Sequence, residues 1–600
     1  MTAVDSQDYE LVTTHSRALK VIKSIAASGQ VHALDFETTG LRPDSADVRL
    51  TCICGPAGRF VIDHILCAPF ADYALALAQA CTWAVFNAGF EGRWFDHATE
   101  GPDVVLYDVG VMSKAKLGGR PLSLADMVQR DLGKKRDNKH LQLSDWSQAT
   151  LSQEQYDYGY EDAGDTYALY RLWADSLTST QFAGFRVLND AWRGTAEMED
   201  TGLLIDEAYH SGLIRMWTLR RAVAEKTLLR YTPPSIIANL RSKKQLSDFI
   251  KTVLDETSLR AWPKTDKTEQ LQTDRKQLRQ ASFRAPYPFS RWLAALMVYT
   301  RADKYLGTYG ETLLTKQRLS TDGRIHGRFN IAQAVTGRYS SSGPNLQNIP
   351  RNPMVRRSFI AASGTDMVLA DYSGIELRVL AEVSNDRQLK QDVIFGDVHA
   401  ESAITLFRVD PADFKARLKA KDPRAKEMRS KAKAFSFQLT YGAGNAALAL
   451  VLRCSDGEAA AYVETWAERY PNAYALRYQM FDQMNIAGFL PIKSGRTVFV
   501  HRNERSLPVA SNYPIQGAAA DVMYRAVTRM SQKVWELPFK ARIMAAIHDE
   551  LLMLSEAGCG EQLREIMVEE MRLAWTDIFP GSETANLSES AVGMSWAAKP

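Results

Sequence analysis

Residues 543–554 read IMAAIHDELLML, and this stretch decides the fold of the second half of the chain. Two apolar runs flank His548, Asp549 and Glu550, and each run has the length and composition of a buried β-strand. The three polar residues stand where a tight turn would join the strands. Carboxylates beside a core are costly unless positive charge meets them. We therefore expect positively charged groups at the tip of this hairpin.

Length and composition indicate an ordinary globular protein with several domains. The 600 residues are too many for one core, and 46% of them are apolar and 24% charged. The net charge of +3 does not by itself indicate nucleic-acid binding, so any basic surface has to be local. Residues 413–433 supply such a surface, with nine basic and three acidic residues.

Cysteine usage and the absence of long apolar runs predict a cytoplasmic protein. The six cysteines form no CxxC pair, which favours reduced thiols; a metal site at Cys52 and Cys54 is the alternative. We find no signal peptide, and no apolar run approaches the roughly 20 residues of a membrane helix. We expect no membrane contact and a cytoplasmic location, in the host if the protein is viral. Pro233 and Pro234 predict a break in the middle of the chain.

Acidic residues recur in three segments of the first 170 residues. VHALDFETTGL, from Val31, predicts a strand on which Asp35 and Glu37 share one face, about 6.6 Å apart. That spacing suits divalent ions, and a solvated strand end is the alternative. FNAGFEGRWF contains Glu91, and YDYGYEDAGDTYALY places Tyr158 and Asp162 four residues apart, on one face of a helix.

This series of DxE, NxxF with an acid and YxxxD resembles the proofreading 3′–5′ exonuclease of family A DNA polymerases. SLADMVQRDLG and LQLSDWS also resemble that domain. The resemblance implies an RNase H-like sheet in which four acids hold two divalent ions, Mg²⁺ or Mn²⁺, and Tyr158 orients the attacking water. The implied metal ligands are Asp35, Glu37, Glu91 and Asp162. The family usually has Asp where this chain has Glu91, so an inactive, structural exonuclease domain is the alternative.

Two segments of the second half join charged and aromatic residues. In LADYSGIELRVLAEVS, Asp371 ends an apolar run. In RSKAKAFSFQLTYGAG, two cations and two aromatics recur every fourth residue, so they form one stripe of a helix. The stripe consists of Arg429, Lys433, Phe437 and Tyr441. It suits a polyphosphate and a stacked base, and a solvated basic face is the alternative.

DYSGIELR, RSKAKAFSFQLTYG and HDE resemble the three polymerase motifs of the DNA polymerase I family. MEDTGLLID, NYPIQGAAADVM and VGMSW resemble the same family. The implied fold is multidomain α/β and α+β, with an RNase H-like exonuclease domain followed by a right-hand polymerase. We expect the exonuclease at 1–185 and the polymerase at 186–600, with the thumb at 207–320, the palm at 321–390 and 495–600, and the fingers at 391–494.

The resemblance also implies the chemistry of the polymerase site. Asp371 and Asp549 would bridge two Mg²⁺ ions, with the carbonyl of Tyr372 completing the site and Glu550 supporting the ligands. Lys433 would neutralise the triphosphate and protonate pyrophosphate.

The remaining implied roles concern substrate binding. They are triphosphate binding by Arg429, sugar packing by Phe437, template stacking by Tyr441, exclusion of the 2′-hydroxyl by Glu376, minor-groove contacts by Arg338, Asn512 and Gln516, and primer-terminus contact by His548. Because Phe437 lacks a hydroxyl, we expect weak use of dideoxynucleotides.

Together these features predict a DNA-directed DNA polymerase that extends a primer with dNTPs and proofreads. The chain begins directly with the exonuclease, an arrangement similar to phage replicative polymerases, so we expect phage DNA replication. Expected partners are primer–template DNA, helicase–primase and single-strand binding protein, with a monomeric enzyme. The alternatives are a repair polymerase with an inactive exonuclease, a single-subunit RNA polymerase, and a nuclease whose second half only binds DNA.

Overall fold

The computed structural model describes residues 9–598 except 100, 102–103, 120–121, 233–238, 263 and 265–269. The predicted break at Pro233 and Pro234 lies outside the described residues. Among the described residues, no helix combines the length and the apolar character needed to cross a bilayer. All six cysteines carry free thiols, and Cys52 and Cys54 are buried, as predicted.

The first part of the chain forms a mixed sheet with helices packed on it, which confirms the predicted α/β organisation. Its strands lie in the order β1, β4, β3, β2, β5, β6; β3 runs antiparallel to β2 and β4, and the other pairs are parallel. The strands are β1 (Glu10–Val12), β2 (His32–Thr38), β3 (Val48–Gly55), β4 (Gly58–Asp63), β5 (Trp83–Val85) and β6 (Leu106–Asp108). The helices are α1 (His15–Ser28), α2 (Ala71–Ala80), α3 (Ala88–Thr99), α4 (Val109–Leu117), α5 (Leu124–Met127), α6 (Gln153–Ser176) and α7 (Ser179–Asn189).

Helices dominate the next part of the chain. The long helices α9 and α13 pack side by side. The elements are α8 (Trp192–Thr201), β7 (Leu204–Ile205), α9 (Glu207–Tyr231), α10 (Lys243–Val253), α11 (Glu256–Ala261), α12 (Arg275–Arg284), α13 (Phe289–Tyr309) and α14 (Glu311–Leu319). This region coincides with the predicted thumb, for which the boundaries stay a prediction.

Short strands and then a second helical region follow. The strands and first helices are β8 (Arg328–Asn330), β9 (Ser340–Ser342), α15 (Pro353–Arg356), β10 (Phe359–Ile360), β11 (Thr365–Tyr372) and α16 (Ile375–Ser384). The helical region contains α17 (Arg387–Ile394), α18 (Val398–Phe407), α19 (Pro411–Lys419), α20 (Pro423–Thr440), α21 (Asn445–Leu452), α22 (Asp456–Arg469) and α23 (Pro471–Ala487). The predicted helix with the cationic and aromatic stripe is α20.

The predicted hairpin forms one side of the second sheet, with β14 at the edge. Strands β14, β15, β11 and β16 lie in that order and are antiparallel. The last elements are β12 (Phe489–Pro491), β13 (Thr497–Phe499), α24 (Leu507–Lys533), β14 (Ala541–Ile547), β15 (Glu550–Glu556), α25 (Gly560–Ile578) and β16 (Ser588–Gly593). Helix α25 packs on β11 and β16, where the Tyr372 hydroxyl donates to the Met571 carbonyl at 2.7 Å.

The two halves of the chain share an apolar core, which includes helix α4 of the first half and strands of the second sheet. Val109 and Met112 of α4 belong to the same buried cluster as residues of the second sheet. Lys114 donates to the Ile331 carbonyl at 2.8 Å. Trp192, at the start of α8, packs so closely on α3 that a Cβ at Gly92 would lie 2.0 Å from its ring. These contacts pack the first part of the chain against the second.

Candidate active sites

The tip of the β14–β15 hairpin is a two-residue turn made by His548 and Asp549, while Glu550 begins β15. His548 adopts a left-handed φ of 59°. The side chain of Gln347 clamps the turn: its amide nitrogen donates to the Ala546 carbonyl at 2.7 Å, and its oxygen accepts from the His548 backbone at 3.0 Å. The segment between β9 and α15, which contains Gln347, therefore holds the hairpin tip in place.

Asp371 and Asp549 come close together at this tip, where the charge of Asp371 acts on the Asp549 carboxyl. Their role as metal ligands stays a prediction. Asp371 lies directly opposite Glu550, and the Tyr372 backbone donates to the Asp549 carbonyl at 3.0 Å. The Asp549 side chain is 30% exposed, yet partial burial, with the nearby charge of Asp371, raises its pKa to about 6. Arg351, at 3.6 Å, opposes that shift.

Replacing Asp549 by asparagine should stabilise the metal-free protein at pH 7 by about 1 kcal/mol, or about 1 °C in melting temperature for a protein of this length. Because the folded-state pKa of about 6 exceeds the ordinary 3.8, ionising Asp549 costs stability. That cost is absent below about pH 4 and complete above pH 6. Calorimetry in EDTA at several pH values measures it.

The matched control for this measurement is Glu556→Gln. Glu556 is exposed and lies at the end of β15, the strand that follows Asp549. The control substitution should leave the melting temperature almost unchanged. A stabilisation by Asp549→Asn that is equally large at pH 4 and pH 7 would contradict an origin in the Asp371–Asp549 repulsion.

Glu550 points into a different environment from Asp549. Its side chain is buried, and its carboxylate accepts from Arg356 at 2.9 Å and from the Trp596 ring nitrogen at 3.1 Å. Arg356 also lies 4.5 Å from the Trp596 ring centre. The Glu550 carboxylate is thus engaged by two protein donors that fix the hairpin to α15 and to the C-terminal segment. A direct catalytic role for Glu550 stays a prediction.

A cavity of about 310 Å³ opens beside the hairpin tip. It brings together six of the predicted site residues: Arg338, Glu376, Phe437, Tyr441, His548 and Asp549. Arg338 forms an ion pair with Glu376, so these two predicted substrate contacts bind each other. Arg351, which sequence reasoning missed, also lines the cavity. Its signal was its place in the polar segment around residue 350.

The α20 stripe leads away from this cavity. The rings of Phe437 and Tyr441 are tilted by 54° with their centres 6.1 Å apart, and the Lys433 ammonium lies 5.8 Å from the Phe437 ring centre. The Arg429 guanidinium lies one turn before Lys433 on α20. It donates to both carboxylate oxygens of Asp397, at 2.6 and 3.0 Å. Its predicted triphosphate contact therefore has to compete with Asp397.

Helix α24 approaches the stripe from the other side. Asn512 donates to the Tyr441 carbonyl at 3.4 Å, and Gln516 lies about one turn further along the same helix, half-buried. Neither residue lines the cavity. Their predicted contacts with the minor groove stay predictions.

His399 is a residue near the stripe that sequence reasoning missed. Its buried ring lies 5.7 Å from the Phe437 ring. Burial, with the charges of Lys433 and Arg429, lowers the pKa of His399 to about 4, so the imidazole is neutral at pH 7. Asp397 caps α18 and places His399 in its first turn. The sequence signal was this D-x-H pattern ahead of the basic stretch.

The second acidic site lies on the first sheet. Oxygen atoms of Asp35, Glu37 and Asp162 all lie within 4.8 Å of one another. Asp35 and Glu37 share a face of β2, and Asp162 comes from α6, as predicted. Helix α6 approaches closely because residue 159 is glycine: a Cβ there would lie 3.0 Å from the Cys52 sulfur and 3.1 Å from Glu37.

Glu91 lies next to this trio but outside the 4.8 Å group. It is buried in the first turn of α3. Burial, followed by the charge of Asp35, raises the pKa of Glu91 well above its ordinary value. Its predicted role as a metal ligand stays a prediction.

Burial also dominates the electrostatics of the trio and of Tyr158. Burial and mutual repulsion raise the pKa of Asp35 and of Glu37 well above their ordinary values. Burial raises the pKa of Asp162 less, because Arg136 opposes the shift. Burial also raises the pKa of Tyr158, so its hydroxyl keeps its proton. Arg136, which forms an ion pair with Asp162, was missed by sequence reasoning, and its signal was the basic run GKKRDNK.

Comparison with known families agrees with these two sites. A family model for DNA polymerase family A matches residues 220–596. This chain belongs to DNA polymerase family A. A second family model, for a 3′–5′ exonuclease, matches residues 9–177 of this family A polymerase. The predicted order of exonuclease and polymerase domains is therefore confirmed.

Several DNA polymerase I proteins are similar to this family A member. The thermostable DNA polymerase I of Thermus thermophilus is 32% identical over 396 residues, which are 64% of this chain and 45% of that protein. The DNA polymerase I of Caldicellulosiruptor bescii is 32% identical over 433 residues, 68% of this chain and 47% of that protein. The chain thus spans less than half the length of these curated relatives.

A solved structure resembles the family A chain over nearly its whole length. It is the POL domain of Pol1 from M. smegmatis in complex with DNA primer-template and dNTP. The TM-score is 0.79 at 25% identity, covering 98% of this chain and 99% of that chain.

Family A polymerase and exonuclease domains generally use divalent metal ions, and the residues present here fit such ions. Each site gathers buried or half-buried carboxylates from separate elements. Burial, followed by the charge of the neighbouring carboxylates, raises the pKa of Asp35, Glu37 and Asp549. Carboxylate oxygens are the ligands that Mg²⁺ and Mn²⁺ prefer. A divalent cation at either site would relieve the repulsion that the geometry creates.

Proposed function

We propose that this chain is a DNA-directed DNA polymerase that extends a primer 3′-hydroxyl with dNTPs and proofreads with its 3′–5′ exonuclease. The observation that carries the proposal is the meeting of Asp371 and Asp549 beside a cavity lined by Glu376, Phe437 and Tyr441. This arrangement joins a carboxylate pair for metal ions to a cavity with an acid and two aromatic rings. The solved relative, the M. smegmatis POL domain, binds primer-template and dNTP.

In the proposed polymerase reaction, Asp371, Asp549 and the Tyr372 carbonyl hold two Mg²⁺ ions. When bound, these ions supply activation of the 3′-hydroxyl and neutralisation of the triphosphate charge. The exposed Lys433 ammonium binds the triphosphate and donates a proton to the leaving pyrophosphate. Phe437 packs on the sugar.

Three other groups select and align the substrates of the polymerase. Glu376 excludes a 2′-hydroxyl because its carboxylate occupies the wall of the cavity. Tyr441 stacks at the template base, at the end of α20. His548, at the hairpin tip, contacts the primer terminus.

In the proposed exonuclease reaction, Asp35, Glu37, Glu91 and Asp162 hold two divalent ions. Tyr158 keeps its proton and so can donate a hydrogen bond that orients the attacking water. Its place on α6, one turn before Asp162, brings that hydroxyl to the carboxylate face. The proposed exonuclease activity requires Glu91 to bind metal at the position where the family usually has an aspartate.

We further propose a role in phage DNA replication, in the host cytoplasm, as a monomer working with helicase–primase and single-strand binding protein. The support is the arrangement of an exonuclease domain followed by a polymerase domain, which resembles that of phage replicative polymerases. The second candidate is a repair polymerase with an inactive exonuclease, which the Glu91 substitution favours.

A 3′-mismatched primer distinguishes these two candidates. In Asp371→Ala protein with Mg²⁺ and without dNTPs, we expect a 5′-labelled mismatched primer to shorten. Adding Asp35→Ala should abolish the shortening by removing a carboxylate of the trio. Gel electrophoresis of the labelled strand measures the rate.

The control for the primer experiment is Asp371→Ala with Glu91→Asp. If Asp371→Ala protein leaves the primer intact while the added Glu91→Asp restores shortening, the exonuclease of this chain is inactive and the repair candidate is favoured. Shortening that persists in Asp35→Ala protein would contradict the proposed exonuclease site.

A further inference from the structure

A basic loop covers the carboxylates of the exonuclease site. Its Arg136 side chain is 5% exposed and forms an ion pair with Asp162. The same guanidinium lies 3.5 Å from Glu161 and 3.7 Å from Asp165, and its central carbon is 5.5 Å from the Tyr158 ring centre. A buried arginine thus touches both the acid and the tyrosine to which the exonuclease reaction is assigned.

Asp162 belongs to two groups at once. Its carboxylate is one of three whose oxygens lie within 4.8 Å of one another, together with Asp35 and Glu37. It is also the carboxylate that Arg136 binds. The Asp162 side chain is 13% exposed, so water and salt screen its interactions weakly. A divalent ion on the trio and the Arg136 guanidinium would therefore act on the same carboxylate.

We propose that Arg136 is a tethered counter-ion that competes with divalent metal for Asp162 and sets the metal concentration at which the exonuclease site fills. The inference rests on the proposed metal-dependent exonuclease. Two cations repel each other across a buried carboxylate, so metal binding has to displace the guanidinium or weaken its ion pair. Arg136 is a positioning residue in this scheme, because it acts through Asp162.

The surrounding contacts suit a guanidinium that exchanges between partners. If Arg136 leaves Asp162, Glu161 and Asp165 remain within reach of it. The loop itself has an independent anchor, since Lys134 binds Glu161 at 2.6 Å and Asp165 at 3.0 Å. The loop can therefore keep its place while one side chain changes partner.

The direction of the effect separates this role from a purely structural one. An arginine that only holds Asp162 in position would, when removed, weaken metal binding. An arginine that competes with the metal would, when removed, strengthen it. Metal affinity, rather than activity, is therefore the decisive measurement.

The experiment measures Mn²⁺ binding by electron paramagnetic resonance in the full-length protein. Asp371→Asn and Asp549→Asn remove the carboxylate pair of the polymerase site from the titration. Adding Arg136→Gln should tighten Mn²⁺ binding by about 5- to 150-fold, the usual range of coupling between two sites. The matched control is Lys135→Gln, whose side chain is 76% exposed and pairs with Asp137, and it should leave the affinity unchanged.

If the Arg136→Gln protein binds Mn²⁺ no more tightly than the protein with Arg136, the inference is overturned. If that variant does not fold, Arg136→Lys serves instead: it keeps the charge but not the planar fork, and should give a smaller increase in affinity. Asp35→Asn has to abolish the binding in every background. If neither the protein with Arg136 nor the Arg136→Gln protein binds Mn²⁺, the proposed metal site is refuted. The inference, which rests on that site, is then refuted as well.

Discussion

Asp549→Ala should lower the rate of primer extension by about 10³-fold or more, because phosphoryl transfer depends on positioning and on neutralising the developing charge. Asp549 and Asp371 form the carboxylate pair beside the cavity, and the neighbouring acids do not replace Asp549. Glu550 is bound by Arg356 and Trp596, and Glu376, which lines the cavity, is bound by Arg338. Single-turnover extension of a matched primer with Mg²⁺ and one dNTP measures the effect.

The control for this loss is Glu556→Ala, at the opposite and exposed end of β15. It removes an acid from the same strand and should leave the extension rate within about two-fold, as surface changes usually do. Asp549→Ala protein should also melt no lower than wild type in EDTA, because it loses a repulsive charge. Extension at the wild-type rate by Asp549→Ala protein would refute the proposed polymerase site.

Asp521→Ala should destabilise the polymerase half by about 3–5 kcal/mol, because it leaves Arg496 charged and buried. Both side chains are fully buried, and the Arg496 Nε donates to Asp521 at 2.9 Å. The same guanidinium donates to the carbonyls of Thr336 and Gly517, at 2.9 and 3.0 Å. This network ties α24 to the loop that precedes Arg338. Denaturant unfolding followed by tryptophan fluorescence measures the loss.

Two variants test the origin of this destabilisation. Asp577→Ala removes the ion pairs of Asp577 with Arg525 and Arg529. Since the Asp577 side chain is 32% exposed, the change should cost about 1 kcal/mol or less. Replacing the pair together, Arg496→Met with Asp521→Leu, should recover most of the stability lost by Asp521→Ala, since apolar residues can replace a buried ion pair. A double variant as unstable as the single one would show that the carbonyl contacts of Arg496, rather than its charge, dominate.

Local pattern alone predicts most of the elements that carry the sites. Apolar runs bounded by polar residues predict β2, β11 and the β14–β15 hairpin, because a short apolar run between turn residues is the local signal of a buried strand. A spacing of four predicts that Tyr158 and Asp162 share a helix, which is α6. The same spacing predicts one helix for Phe437 and Tyr441, but α20 ends at Thr440 and Tyr441 is the residue that follows it. Resemblance of the motifs then predicts which acids meet, and Asp371 and Asp549 do meet at the hairpin tip.

The sequence by itself therefore determined the strands, the helices and the candidate acids of this polymerase, whereas only the tertiary structure decided their charged partners. Arg338 binds Glu376, Arg429 binds Asp397, Arg356 binds Glu550 and Arg136 binds Asp162. These partners lie from 26 to 194 residues apart in the chain. Helical and strand periodicity act over a few residues, but a buried charge pairs with whatever opposite charge packing brings within about 4 Å, and the packing of distant elements chooses that partner.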